Sequence, residues 1–242
     1  MITNVSFENI NNKKVFQIIT EPDVSQKKVV IMSHGFRSSS IGPARTFVNF
    51  EKLLLNKGFA VLRFDQPNSG NSEGDFIDSF FKEWVDTTTY FAKKYIDKGY
   101  NICLLGQSMG ATATMAATSR DEIKNKVPCI ILWVPDPEST FDKNPNNINE
   151  EEGQKYKELF WKEAYETNFF KNLKEYTGGM HLVYGETDKY VNQELRNQTI
   201  KQVQEKGHPV MILKGQDHSP WKYDICDEVY NEELKFLDKY FT

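Results

Sequence analysis

The sequence is poor in cysteine. Three in 242 residues, Cys103, Cys129 and Cys226, make an odd number with no C-x-x-C pair, which argues against a disulfide framework. Cys103 and Cys129 lie inside apolar runs, NICLLG and PCIILWV, the setting of buried reduced thiols. No spacing of Cys and His suggests structural zinc, and neither a metal nor an organic cofactor is expected. Excess positive charge is missing as well. The formal net charge is −4, so the clustered Lys and Arg of a nucleic-acid surface are not expected. No apolar run approaches the roughly twenty residues of a membrane span. The opening MITNVSFENINNKK lacks the basic-then-apolar order of a secretory signal, which leads to the expectation of a cytoplasmic protein. Internal repeats and low-complexity tracts are also missing.

What is present is a set of short apolar runs bounded by Gly, Pro or Asn: Val5–Phe7, Val15–Ile19, Val29–Met32, Phe59–Phe64, Ile102–Leu105, Cys129–Val134, Met180–Tyr184 and Val210–Leu213. Most of the later runs are continuous rather than alternating, as in strands of a parallel sheet covered on both faces. Helical stripes lie between them. Ile77, Phe80, Phe81, Trp84, Val85, Thr88, Phe91, Ala92 and Tyr95 fall at steps of three and four, and similar stripes run through 47–55 and 225–241. The order predicts an antiparallel start leading into a mostly parallel, helix-covered α/β sheet.

One stretch breaks this rhythm. From Pro135 to Gly179 there is no strand signal, only the turn-rich acidic PDPESTFDKNPNNINEEE and then an aromatic helical pattern with Tyr156, Phe160, Trp161, Tyr165, Phe169 and Phe170. An insertion this long in a compact domain is usually functional. It reads either as a helix packing its aromatic stripe on the core or as a cap over a pocket, with Phe160, Trp161 and Tyr165 as candidate pocket residues. The same aromatic helix is equally suited to burial against a second subunit, so a homodimer stays open.

The strongest chemical signal is Leu104-Leu105-Gly106-Gln107-Ser108-Met109-Gly110-Ala111. A strand, then G-x-S-x-G, then a small-residue helix is the context in which Ser108 projects from a sharp corner over a helix N-terminus, the glycines allowing the turn. A serine hydroxyl needs a base. Of the four histidines, His218 follows the 210–213 run in KGQDHSP, at the sheet edge where Ser108 emerges. His181 opens a strand and His208 precedes one, which places them at the opposite edge as surface histidines. His34 also ends a strand.

The base needs a carboxylate to hold its tautomer. Asp188, in GETDKYV just beyond a strand, and Asp136, in VPD, both qualify, and Asp188 is preferred because it lies one strand closer to the histidine loop. Asp217 neighbours His218 and reads as solvated, because adjacent residues rarely orient side chains toward each other. Acyl chemistry also develops negative charge on a carbonyl oxygen, which requires preplaced N–H donors. The backbone N–H groups of Met109, after the nucleophile, and of Phe36, in Ser33-His34-Gly35-Phe36, are the candidates for this oxyanion hole.

In these parts the sequence resembles the α/β-hydrolase family over nearly the whole chain. HGF, Phe64-Asp65 through Gly74, GQSMG, GETDKYV and GQDHS occur in the family's order, and Ser108, Asp188, His218 is the hydrolase order of a catalytic triad. The pieces look most like small bacterial carboxylesterases of the feruloyl or cinnamoyl esterase type. That resemblance implies a mostly parallel eight-stranded sheet with helices on both faces. It further implies a core of residues 1–134 and 180–242, and a helical cap, 135–179, between the sixth and seventh strands. Two departures stand out: Asn68-Ser69-Gly70 where relatives commonly carry Gly-His-Gly, and Gln107 where many have His.

The resemblance implies a serine esterase acting on a small-molecule ester with an apolar or aromatic acyl group, without cofactor. Related members are monoacylglycerol lipases, thioesterases and serine aminopeptidases, and the acidic Glu150–Glu152 run is one place to hold a free amino terminus. A non-catalytic receptor or scaffold is the remaining alternative, and the complete set of catalytic residue types argues against it.

Overall fold

A computed structural model describes residues 1–24, 26–138 and 140–241. Eight strands form one sheet: β1 (Ile2–Ile10), β2 (Lys13–Glu21), β3 (Lys28–Ser33), β4 (Ala60–Phe64), β5 (Asn101–Gln107), β6 (Cys129–Trp133), β9 (Gly179–Gly185) and β10 (Val210–Leu213). Two more, β7 (Ile148–Glu151) and β8 (Gln154–Lys157), pair only with each other. The main sheet runs β1-β2-β4-β3-β5-β6-β9-β10. β1–β2 and β2–β4 are antiparallel, and every later pairing is parallel.

The continuous apolar runs explain the centre of the sheet. Every residue of β4, β6 and β9 is buried, as are all of β5 beyond Asn101, so these strands tolerate no polar alternation. Helices α1 (Thr46–Asn56) and α7 (Tyr223–Leu237) share one face, where Phe50 stacks on Tyr230 at 5.1 Å between ring centroids. Helices α2 (Phe81–Asp97) and α3 (Met109–Ala117) pack together on the other. The predicted α2 stripe is the buried one: Phe81, Trp84, Val85, Thr88, Phe91, Ala92 and Tyr95. α3 is buried along its whole length, and its run of small residues lets it lie close on β5 and β3.

From β3 the chain crosses to β4 on one side and then returns to lay β5 on the other. This reversal opens a crevice beyond the C-terminal ends of β3 and β5, where open α/β sheets bind ligands. The loops after β3 and β5 carry His34–Arg37 and Ser108.

The segment between β6 and β9 is not purely helical. Its first regular element is the β7–β8 hairpin, followed by α4 (Leu159–Glu166) and α5 (Phe169–Glu175); α6 (Gln193–Glu205) follows β9. The hairpin left no strand signal because it is almost all polar and mostly exposed, so neither of its faces needs an apolar alternation. α4 is tied down on α2: Phe160 packs on Phe81 and Trp84 at 5.4 and 5.0 Å, and the Lys82 backbone N–H donates to Glu163 at 3.1 Å.

His181 is not at the surface. It is buried on β9, with Nδ1 2.6 Å from Glu233 Oε2, and the other oxygen of Glu233 accepts from Trp133 Nε1 at 2.8 Å. Three elements, β6, β9 and α7, are thereby joined by one fully buried carboxylate. Burial opposes the charged imidazole, yet the charge and hydrogen bond of Glu233 hold His181 above the usual imidazole range. Among the described residues, no helix is long and apolar enough to cross a membrane.

Candidate active site

Ser108 stands between β5 and α3 with φ 55° and ψ −128°, a conformation an L-residue adopts only when its surroundings enforce it. The Ser108 N–H donates to the Trp133 carbonyl at 2.8 Å, and the Ser108 carbonyl accepts from Ala111 N–H at 2.8 Å. The flanking glycines do a different job from the one their spacing suggested. Neither has a positive φ. A Cβ on Gly106 would lie 2.4 Å from the Ala111 Cα, and one on Gly110 would lie 2.2 Å from the Ser33 carbonyl oxygen. They permit close packing, and the turn strain falls on the serine itself.

His218 arrives from the loop after β10. Its Nε2 is 2.9 Å from Ser108 Oγ, and its Nδ1 is 2.8 Å from Asp188 Oδ2. If Nδ1 carries the proton and donates to Asp188, Nε2 is left to accept from the serine hydroxyl. The other oxygen of Asp188 accepts the backbone N–H groups of Tyr190 and Val191 at 2.9 and 3.1 Å, which fixes the carboxylate in place. Asp217 instead takes the backbone N–H of His218 at 2.8 Å and of Lys189 at 3.1 Å. It shapes the histidine loop and does not approach the imidazole.

Asp136 faces the same cleft but makes no hydrogen bond to His218. Burial, with help from the nearby Glu138 and Asp188 carboxylates, pushes Asp136 up to about 8. Burial also raises Glu138, to about 7, with Lys143 pulling the other way and Glu158 adding to the rise. Two carboxyl groups in the cleft are thus close to their titration points near neutrality.

Phe36 and Met109 present their backbone N–H groups at the ends of β3 and β5. Among the described residues, no acceptor engages either one. The loop that carries Phe36 is held from several directions. His34, fully buried, bonds the Gly35 carbonyl through Nδ1 at 2.8 Å and accepts Gln66 N–H through Nε2 at 2.9 Å. Gly35 N–H donates to Gln107 Oε1 at 3.2 Å. The Phe36 ring is enclosed by Phe76, Tyr156, Phe160 and Trp161 at 4.9–5.1 Å. Arg37 reaches to the hairpin, with Glu151 and Glu152 at 3.0 and 3.2 Å.

Ser108, Met109, Phe36 and His218 line a cleft of about 890 Å³, and Trp161 forms part of its wall. The other two aromatic candidates are elsewhere. Phe160 is fully buried beneath Phe36 and belongs to the core. Tyr165, 41% exposed, borders a smaller hollow of about 370 Å³ with Glu166 and Phe170. On a helix only one face meets the cleft, and the sequence stripe does not tell which. Tyr156, Arg37, Gln107, Glu138 and Tyr190 also line the cleft; Gln107, Tyr190 and Tyr156 lie in stretches the sequence singles out, whereas nothing local marks Arg37 or Glu138.

Solved structures share this fold over nearly their full length. Est1E from Butyrivibrio proteoclasticus, solved with ferulic acid bound, superposes with a TM-score of 0.78 at 20% identity, covering 95% of this chain and 96% of that one. GrgF, an α/β hydrolase from Penicillium sp. sh18, gives 0.81 at 15% identity over 100% and 99% of the two chains. A monoacylglycerol lipase from Paleococcus ferrophilus gives 0.74 at 15% identity over 93% and 99%. A family model described as serine aminopeptidase, S33, matches residues 24–140, while a search of curated proteins returns no match. The chain has the fold of these α/β hydrolases.

Proposed function

We propose that the protein is a serine hydrolase that cleaves carboxylic esters through an acyl-enzyme, with Ser108 as nucleophile, His218 as general base and Asp188 as the group that orients it. One observation carries the reading: an unbroken relay from Ser108 Oγ to His218 Nε2 at 2.9 Å, and from His218 Nδ1 to Asp188 Oδ2 at 2.8 Å. In this mechanism Nε2 takes the serine proton as Oγ adds to the ester carbonyl. The tetrahedral oxyanion is held by the N–H groups of Phe36 and Met109. His218 then protonates the leaving alcohol, and the same imidazole activates a water that releases the acid.

In this reading, residues 135–179 form a cap on a core of 1–134 and 180–242, and Trp161 with Tyr156 walls the acyl site. Aromatic walls favour apolar or aromatic acyl groups. Est1E, which binds ferulic acid in its solved structure, is consistent with that preference. The test is direct. Ser108→Ala should abolish hydrolysis of small aryl esters and labelling by a fluorophosphonate probe. Retention of either removes Ser108 from the mechanism.

A second reading, a serine aminopeptidase on the same machinery, is favoured by the acidity of the cleft. Asp136, Glu138, Asp142, Glu151, Glu152, Glu158 and Glu194 line it against only Arg37 and Lys143 among the cations. The Glu151–Glu152 pair is occupied by Arg37, so a substrate ammonium would be held by Asp136 and Glu138 instead, each releasing its proton as the cation binds. Rates on matched aryl-ester and aminoacyl-anilide substrates separate the two, and a preference for the anilide displaces the esterase reading.

A further inference from the structure

Among the described residues, β1 ends the sheet and has no partner on its outer side. Its burial is unlike that of any other strand in the sheet: Ile2 through Phe7 are exposed on both faces, with Ile2, Val5 and Phe7 at 63%, 61% and 54%. Val5 and Phe7 share a face with their register partners on β2, Ile18 and Phe16, and the Phe7 and Phe16 rings meet edge-on at 5.6 Å. Both partners are only half-buried, so the apolar patch continues inward from the edge.

Proteins normally blunt such an edge with lysine, proline, a bulge or a covering element. β1 has none of these among its nine residues, and its register with β2 runs without interruption from Ile2 to Ile10. Its single charge, Glu8, is already neutralised by Lys94 at 2.5 Å and further held by Gln17 and Tyr90 at 2.7 and 3.0 Å. A second copy of the strand would therefore meet little charge repulsion. In the aromatic helix of the insertion Phe160 is spent on Phe36, Phe81 and Trp84, which leaves Tyr165 as its exposed aromatic.

We propose that the protein forms a homodimer by antiparallel pairing of β1 with β1 of a second copy, so that two sheets join across a twofold axis at Ser6. The strand's own sequence argues for this occupant. A twofold pairing that keeps side chains on matching faces requires paired residue numbers with an even sum. Only a sum of twelve pairs all nine residues of Ile2–Ile10. That register sets Val5 opposite Phe7, Ile2 opposite Ile10, the Asn4 amide opposite the Glu8 carboxylate, and Ser6 opposite Ser6. Apolar residues meet apolar ones, the acceptor meets a donor, and no like charges face each other.

The test uses the intact chain. Sedimentation of the wild type across the micromolar range should show a dimer, and Val5→Lys and Phe7→Lys should each weaken it by tenfold or more. Both residues are exposed and distant from the cleft, so circular dichroism and ester turnover should be unchanged. Register is read by cysteine scanning, since the native thiols are all buried. Under oxidation S6C should form an intermolecular disulfide more readily than V5C or F7C. A wild type that is monomeric throughout overturns the proposal, as does a dimer indifferent to both lysine variants. Faster cross-linking of V5C or F7C than of S6C overturns the register.

Discussion

The side chain of Gln107 accepts a hydrogen bond from the backbone N–H of Gly35 at 3.2 Å. Its amide nitrogen donates to Ser219 Oγ, also at 3.2 Å, so one side chain links the Phe36 loop to the loop of His218. A Gln107→Ala variant should therefore misplace both loops at once. The expected outcome is a fall in kcat of about tenfold with little change in KM, since only interactions formed in the transition state are disturbed. Steady-state kinetics on an aryl acetate checks the split.

Two aspartates bond His218, Asp188 at its ring and Asp217 at its backbone, and the geometry ranks them. Asp188→Asn should lower kcat by roughly 10³–10⁴-fold, because it reverses the hydrogen bond that fixes the imidazole tautomer. Asp217→Asn loses only an acceptor for the backbone N–H groups of His218 and Lys189, and should cost less than about tenfold. Equal losses in the two variants would contradict the assignment.

The raised carboxyl of Asp136 makes a prediction about stability. Burial raises its titration point to about 8 in the folded protein, from the ordinary aspartate value of 3.8. Between these values the folded state holds a proton that the unfolded chain releases, so stability falls as pH rises from about 4 to 8. Asp136→Asn removes that dependence. The variant should melt higher than wild type at pH 8, by several degrees on a scale of about 2–4 °C per kcal/mol, and show no such gain near pH 4. Thermal melts across this range decide it.

The buried His181–Glu233 pair gives stability the same direction with pH for a different reason, a favourable charge interaction and not a burial penalty. His181 is held above its ordinary value, so its contribution is fully present below about pH 6.5 and is lost as pH rises through the folded value. Glu233→Gln keeps an acceptor for Trp133 Nε1 but removes the charge. It should destabilise by about 1–3 kcal/mol at pH 6, with a smaller deficit at pH 9. Denaturant titrations at the two pH values measure the difference, and ester turnover under native conditions should be unaffected.

Much of this molecule could be read in advance because its central strands are buried on both faces. The eight runs from Val5 to Leu213 all lie in the main sheet. Ser108, Asp188 and His218 could be located because each follows such a run at the same sheet edge, and the structure brings their side chains within hydrogen-bond reach. Elements with no interior were harder. The Ile148–Lys157 hairpin is mostly exposed and carries no pattern. Phe160 and Trp161 are neighbours of similar chemistry, and only the seating of α4 on α2 decides that one is core and the other cleft wall. The burial of His181 depended on Glu233, fifty-two residues away and unannounced by local sequence.

The backbone of Ser108, at φ 55° and ψ −128°, lies where glycine rests more easily than serine. Conformations of this kind cost on the order of 1–3 kcal/mol, and here the surrounding sheet and helix sustain it. The residue proposed to do the chemistry is therefore one that folding alone would not choose. Selection for thermal robustness without selection for turnover should drift toward Ser108→Gly, gaining stability by discarding the nucleophile.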